Sequence, residues 1–368
     1  MFLFELFAQL FFMSAGIIGI GFLITIHELG HFIFCKLFNV SVPSFSIGFG
    51  PVLWGKKIGE TNFLISAIPL GGFVEIAGSA EIGQGEQKEA NRADERSLTH
   101  KPYWQKIFIT LGGVFCNLAF AYTCIIAIFA LGAPGTPLLP ETITNSIETV
   151  APDSAAQKSG VQAGDKLIAL HNVPFNTANM QDFFNLLTTL PGTTTSIVIE
   201  RNHDHIEKTI TFDSEKKTRI LGVDFKTHAL EPLSFGKAFK KGVELTNTFI
   251  INSSLFLKRL FTKHTLEGAG GPVGIIAAIM GGAQKGIKIY LLLLAIISIN
   301  LAVLNLIPLP ILDGGQVAFY TIEAIIQRRI PDKIKEAIAI GCWILFLILT
   351  VYLTYHDIKR IILSFFGA

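Results

Sequence analysis

The chain has 368 residues, of which 50% are hydrophobic and 16% charged, where an ordinary soluble domain carries about 25% charged residues. That balance excludes a disordered chain and argues against a soluble enzyme. A formal net charge of +2 gives no basis for a nucleic-acid partner. The four cysteines, Cys35, Cys116, Cys124 and Cys342, all sit in apolar stretches, so they form neither a disulfide framework nor a cysteine metal site.

Four runs are long and apolar enough to cross a bilayer. Leu6 to Ile26 carries no charge and continues weakly apolar to Phe38, which predicts a first span near 10–37. Ser44 to Pro51 and Phe63 to Phe73 alternate and are bounded by glycines, which predicts a β-hairpin over 44–75 that re-enters the membrane. Residues 78–99 are polar and rich in Glu, Gln and Gly, as a mobile loop would be. Ile107 to Pro140 is uncharged and predicts a second span at 107–131. Residues 141–228 then hold 19 charged residues out of 88. Strand-like runs there (Thr194 to Glu200, Glu207 to Phe212, Ile220 to Phe225) accompany a helical pattern at Asn179 to Leu190. Phe235 to Phe261 reads as one or two interfacial helices. Ile289 to Leu312 and Ala337 to Tyr355 are uncharged and predict spans at 289–307 and 336–356. Lysines and arginines cluster in the 38–106 loop and at 328–335, which places both on the cytoplasmic side by the positive-inside rule.

His27-Glu28-Leu29-Gly30-His31 is an H-E-x-x-H motif. Residues four apart lie on one helix face, so both imidazoles can reach one metal, with Glu28 beside them to take a proton from an activated water. Polar groups inside a span cost several kcal/mol unless partnered or facing a cavity. A hydrogen-bonded His pair and the proton relay of a metal-ion or proton transporter remain alternatives at this point. A second motif, Asn305-Leu306-Ile307-Pro308-Leu309-Pro310-Ile311-Leu312-Asp313-Gly314-Gly315, closes the third span. Its two prolines cannot continue a helix, so Asp313 is expected on an unwound segment at the membrane face reached by His27 and His31. Two imidazoles and one carboxylate leave a fourth zinc position open, as a catalytic site requires. Asn117, Asn300 and Asn305 are amides in apolar spans that could hold a substrate backbone. Asn300 and Asn305 lie about 140° apart on an ideal helix, so both would face it only if that helix were distorted.

These two motifs, with Gly48-Phe49-Gly50-Pro51, Pro69-Leu70-Gly71-Gly72-Phe73 and Gly270-Gly271-Pro272-Val273-Gly274-Ile275, resemble the bacterial branch of the site-2 protease family of intramembrane zinc metalloproteases. The resemblance covers nearly the whole length. It implies one Zn2+ on His27, His31 and Asp313, with Glu28 catalytic and Gly48, Phe49, Gly50, Gly71, Gly72 and the three asparagines near substrate. It implies a polytopic α-helical membrane protein of about four transmembrane helices with an inserted α+β PDZ-like domain. The parts are then 1–135 (membrane), 136–228 (PDZ-like, outside the cytoplasm), 229–288 (interfacial helices and linker) and 289–368 (membrane). The implied setting is the bacterial inner membrane, with the active site toward the cytoplasm. Implied substrates are single-pass transmembrane proteins, such as anti-sigma factors trimmed by an upstream site-1 protease, or remnant signal peptides. The chain departs from the family before Asn117, where Gly112-Gly113-Val114-Phe115-Cys116 stands in place of the usual Gly-Pro.

Overall fold

The computed structural model describes residues 2–79, 89, 92–171, 173–175, 186, 193–212, 221–263 and 270–366. In chain order the elements are α1 (Phe2–Leu37), β1 (Ser44–Ile58), β2 (Thr61–Glu75), α2 (Tyr103–Thr110) and α3 (Gly112–Ala130). They continue with β3 (Ile143–Val150), α4 (Ala155–Lys158), β4 (Lys166–Leu170), β5 (Val173–Pro174), β6 (Thr194–Arg201), β7 (Asp204–Thr211) and β8 (Val223–Thr227). The last helices are α5 (Phe235–Lys263), α6 (Pro272–Gln284), α7 (Ile287–Asn305), α8 (Asp313–Ile326) and α9 (Asp332–Phe366). Two compact units emerge, Met1–Ala127 with Gly236–Ala368, and Ile128–Phe235.

In the helical unit, among the described residues, four helices are long and apolar enough to cross a membrane: Phe7–Leu37, Gly112–Ala130, Ile287–Asn305 and Lys333–Arg360. Their outward surfaces stay apolar, as in α9, where Leu345, Leu347 and Ile348 are all exposed. Helix α1 packs on α6 and α7 around buried Leu23, Ile279 and Leu294. It crosses α3 at van der Waals distance through glycines. A Cβ on Gly30 would lie 2.0 Å from the Gly112 carbonyl oxygen, and one on Gly112 would lie 2.6 Å from that of Gly30. The run from Phe235 is a single helix, α5, despite its internal Ser, Thr and Asn residues.

The β1–β2 hairpin bends back on itself. Ser44–Ile47 pairs both with Asn62–Ile65 and with Gly72–Glu75, while Trp54–Ile58 pairs with Thr61–Ile65. Gly48 (φ 88°) and Gly50 (φ 84°) supply the bend in β1, a backbone region that side chains with a Cβ rarely enter. Phe45 and Val74 pack with Cys35, Val40 and Ile109, which fastens the sheet to the end of α1. Glu60, in the tight turn, accepts hydrogen bonds from Lys36 Nζ (2.6 Å) and from Arg96. Within the polar stretch 78–99, the Ser41 N–H donates to the Arg96 carbonyl and the Leu98 N–H to that of Ala77. Residues 80–88, 90 and 91 lie outside the described residues.

The second unit is a sheet of order β7-β6-β4-β3-β8, with β5 paired to β4. Alternation in β6 turns Thr195, Ile197 and Ile199 inward against Ile147, Leu167, Leu170 and Ile210. Burying each such isoleucine contributes about 1.5–3 kcal/mol. Arg201 donates two hydrogen bonds to the buried Asp165 carboxylate (2.7 and 2.8 Å) and one to the Gly160 carbonyl. The helical pattern expected at 179–190 falls outside the described residues, save Leu186.

Two outcomes follow. Gly30→Ala should lower the thermal unfolding midpoint of the detergent-solubilised chain, equivalent to about 1–3 kcal/mol or more from overpacking. Gly281→Ala, whose Cβ would meet nothing within 4 Å, should leave that midpoint in place. Secondly, the Lys36 ammonium beside Glu60, helped by the Arg96 guanidinium, holds the Glu60 carboxyl below its ordinary value of 4.5. A depressed carboxyl contributes stability that is present above the unfolded value and lost as pH falls through the folded one. Glu60→Gln should therefore flatten the loss of thermal stability below about pH 4.5 seen in the unsubstituted chain.

Candidate metal centre

Four elements meet around one turn of α1. His27 and His31 lie four residues apart on it, with their Nε2 atoms 3.2 Å from each other. The Asp313 carboxylate arrives from α8, with Oδ2 3.3 Å from His27 Nε2 and Oδ1 3.6 Å from His31 Nε2. One ligand atom from each of the three residues falls within 4.8 Å of the others. Glu28 sits next to them on α1 and takes a hydrogen bond from the Val74 backbone N–H of β2.

Asp313 reaches this point differently from the sequence-based expectation. The chain leaves helical geometry at Leu306–Leu312, where Leu309 N–H bonds back to Ile307 O and Leu312 N–H to Leu309 O. Asp313 is not on that unwound stretch but is the first residue of α8, with Leu312 as N-cap. The two prolines end α7 and Gly314-Gly315 start the next helix directly beneath the turn. A Cβ on Gly315 would lie 2.1 Å from the Leu309 carbonyl oxygen, and one on Gly314 2.4 Å from that of Leu306. A carboxylate at a helix N-terminus is favoured by the unpaired N–H groups there.

The surrounding contacts select the imidazole tautomers. His31 Nδ1 lies 2.9 Å from the Ile109 carbonyl, which can only accept, so Nδ1 carries the proton and Nε2 presents a lone pair. His27 Nδ1 lies 3.4 Å from the side-chain amide of Asn117. Asn117 is fully buried, and its Oδ1 has no hydrogen-bond partner. With its Oδ1 turned to His27 this amide accepts from Nδ1–H, which gives the buried oxygen a donor and leaves the lone pair on Nε2. Both Nε2 lone pairs then face the Asp313 carboxylate, whose Oδ2 is also buried without a hydrogen-bond donor. Three electron-rich atoms converging in an apolar bundle fit a divalent cation, and the N,N,O donor set suits zinc.

Of the other expected site residues, Asn305 places Nδ2 3.5 Å from His27 Nε2. Gly72 lies beside Glu28, since a Cβ there would approach the Glu28 side chain at 3.8 Å and the Ser46 carbonyl at 2.6 Å. Gly48 and Gly71 are close-packed in the hairpin, where a Gly71 Cβ would strike the Phe49 ring. Phe49 stacks on Phe73 and Gly50 is exposed. Asn300 is not gathered with the others: it is exposed, and its Oδ1 accepts a 2.6 Å hydrogen bond from Ser253 on α5. Helix α7 stays regular through Asn305, so the distortion that would bring both asparagines to one face does not occur. Three participants are new. The Ile109 carbonyl and the Val74 N–H are backbone groups, for which sequence carries no signal. Gly113 is the third, because a Cβ there would lie 2.4–2.7 Å from the His27 ring.

The description of peptidase family M50 matches residues 15–349 of this chain. Among similar proteins, one from Clostridium perfringens is 32% identical over 339 residues, covering 91% of this chain and 95% of its own. One from Campylobacter jejuni is 31% identical, covering 95% and 93%, and one from Nostoc is 29% identical, covering 94% and 96%. All three bear the provisional name zinc metalloprotease. The chain is a multi-pass membrane member of peptidase family M50, the site-2 protease family.

Proposed function

We propose that the chain is an intramembrane zinc metalloprotease that hydrolyses peptide bonds in the transmembrane segments of single-pass proteins. The observation that carries this reading is the convergence of His27, His31 and Asp313 beside Glu28 among helices apolar enough to span a bilayer. His27, His31 and Asp313 hold the metal, and its contribution when bound is Lewis acidity and an acidified water. The remaining chemistry belongs to the protein. Asn117 and the Ile109 carbonyl fix the imidazole tautomers, which makes Asn117 a positioning residue for His27 rather than a substrate contact. The Val74 N–H orients the Glu28 carboxylate, which takes the proton of the attacking water. As the tetrahedral centre collapses, Glu28 passes that proton to the departing amide nitrogen.

A helical substrate hides its carbonyls in its own hydrogen bonds, so it must unwind before attack. The bent hairpin, read as membrane re-entrant, offers a β-edge for the unwound segment, and Gly72 brings that backbone close beside Glu28. Gly48, Phe49, Gly50 and Gly71 shape that edge, and Asn305 lies close enough to hold the substrate backbone. The second unit is read as a single PDZ-like domain outside the cytoplasm, where it would meet substrates already shortened by a site-1 protease. The 136–228 and 229–288 boundaries, the interfacial placement of α5 and the bacterial inner-membrane setting belong to the same reading.

Glu28→Gln should cut cleavage of a single-pass substrate in proteoliposomes by about 10²–10⁴-fold, the usual weight of general-base catalysis, while zinc content stays stoichiometric. Undiminished turnover would remove Glu28 from the chemistry. His27→Ala and Asp313→Ala should each abolish zinc retention by elemental analysis, and normal occupancy in both would overturn the ligand set. Asn117→Ala should weaken zinc affinity by about 10–100-fold, as expected when a metal-bound imidazole loses its outer partner. A raised KM with unchanged zinc affinity would return Asn117 to the substrate.

A further inference from the structure

At the far end of α8 from Asp313, a pocket of about 210 Å³ opens between α8 and α2, lined by Tyr103, Lys106, Tyr320, Glu323, Arg328 and Arg329 among others. Its charge is unbalanced. The one carboxylate, Glu323, is already engaged, since its Oε1 takes a 2.6 Å ion pair from Lys335 and a 2.9 Å hydrogen bond from the Ile330 N–H. Among the described residues Lys106, Arg328 and Arg329 form no ion pair with a carboxylate, and Glu323 acts on Lys106 only at longer range. Lys106 lies 5.5 Å over the Tyr320 ring, and Arg329 reaches only the Thr99 carbonyl, at 3.4 Å. We propose that this pocket binds the phosphate of an anionic phospholipid headgroup.

The ligand must be an acceptor-rich anion, because every unengaged polar side chain from these cations is a donor and a guanidinium fork matches phosphate oxygens in pairs. Burial, with the Arg329 and Lys335 cations nearby, pushes the Lys106 ammonium below its ordinary value of 10.5, and a bound anion would relieve that strain. Position identifies the source as lipid rather than free phosphate. The apolar span Gly112–Ala130 begins six residues after Lys106, and the span Lys333–Arg360 begins four residues after Arg329. Exposed Tyr103 lines the pocket, an aromatic residue of the kind that favours the headgroup level of a bilayer. Basic pockets at the ends of membrane helices are suited to anionic headgroups. The inference does not depend on the proteolytic reading, because its readout is lipid binding.

Native mass spectrometry of the full-length chain in detergent, titrated with dioleoylphosphatidylglycerol, dioleoylphosphatidylcholine or inorganic phosphate, tests it. The unsubstituted chain should retain phosphatidylglycerol in clear preference to phosphatidylcholine. Arg328→Gln with Arg329→Gln should lower that retention about thirtyfold, since each cation near a headgroup contributes on the order of 1 kcal/mol. Arg328→Lys with Arg329→Lys should largely restore it. Arg328→Gln alone, at an exposed residue just past the end of α8, gives a smaller loss and serves if the double variant fails to match the parent's unfolding midpoint. Equal retention of the two lipids, or unchanged retention in both Gln variants, would overturn the proposal. Displacement of phosphatidylglycerol by inorganic phosphate at comparable concentration would overturn it too, by assigning the pocket to a soluble anion.

Discussion

An imidazole pair and a carboxylate are expensive among apolar helices unless each polar atom is met, because desolvated polar groups lose water's hydrogen bonds and regain nothing from lipid. The helical unit is arranged around that constraint. Ile109 supplies a carbonyl to His31, Asn117 an amide to His27 and Val74 an N–H to Glu28. These partners come from three different elements, so satisfying the site also ties α1 to α2, α3 and β2. The crossing of α1 and α3 can be this close only because Gly30, Gly112 and Gly113 carry no side chains. The same glycines that allow the helices to touch make room for the His27 ring.

Asp313 shows how backbone rules deliver a ligand. Pro308 and Pro310 withhold two N–H groups and stop α7, but a long unwound loop would leave carbonyls unpaired at membrane depth. The chain solves this in seven residues, closing the turn with its own hydrogen bonds and restarting a helix at Asp313. The carboxylate thereby sits on a rigid helix end rather than a loop. Gly314 and Gly315 are needed because the new helix begins in contact with the carbonyls of the old one.

Much of this was legible in the sequence. Charge-free runs marked the four long apolar helices, since nothing but burial in apolar surroundings excuses some twenty residues without a charge. The H-E-x-x-H spacing and the two prolines identified the metal-competent residues, because both rest on local geometry that one helix or one turn dictates. What escaped was non-local. The Ile109 carbonyl and Val74 N–H have no side-chain signature, and Gly113 matters only through a ring on another helix. Asn300 misled for the same reason. An amide in an apolar run must find a partner, but sequence cannot say whether that partner is Ser253, His27 or a substrate. The folded-back hairpin was visible as two glycine-bounded alternating runs, whereas its double pairing at Ser44–Ile47 depends on bends at Gly48 and Gly50 that set register only in three dimensions.

The metal centre and the basic pocket share their supports. Helix α8 begins with Asp313 and carries Tyr320 and Glu323 further along, while α2 carries Lys106 and ends one residue past the Ile109 carbonyl that holds His31. Over 14 residues an α-helix spans about 1.5 Å per residue, short enough to move as a rigid rod. An anion bridging Lys106 of α2 and the Arg328–Arg329 pair just past the end of α8 would draw these elements together and resist their separation. Separation would otherwise pull Asp313 and the His31 partner apart, opening the ligand set from both sides. A lipid held there would therefore stabilise the geometry of a site it never touches. Because that coupling runs through two short rods rather than a chain of side chains, it requires no conformational switch.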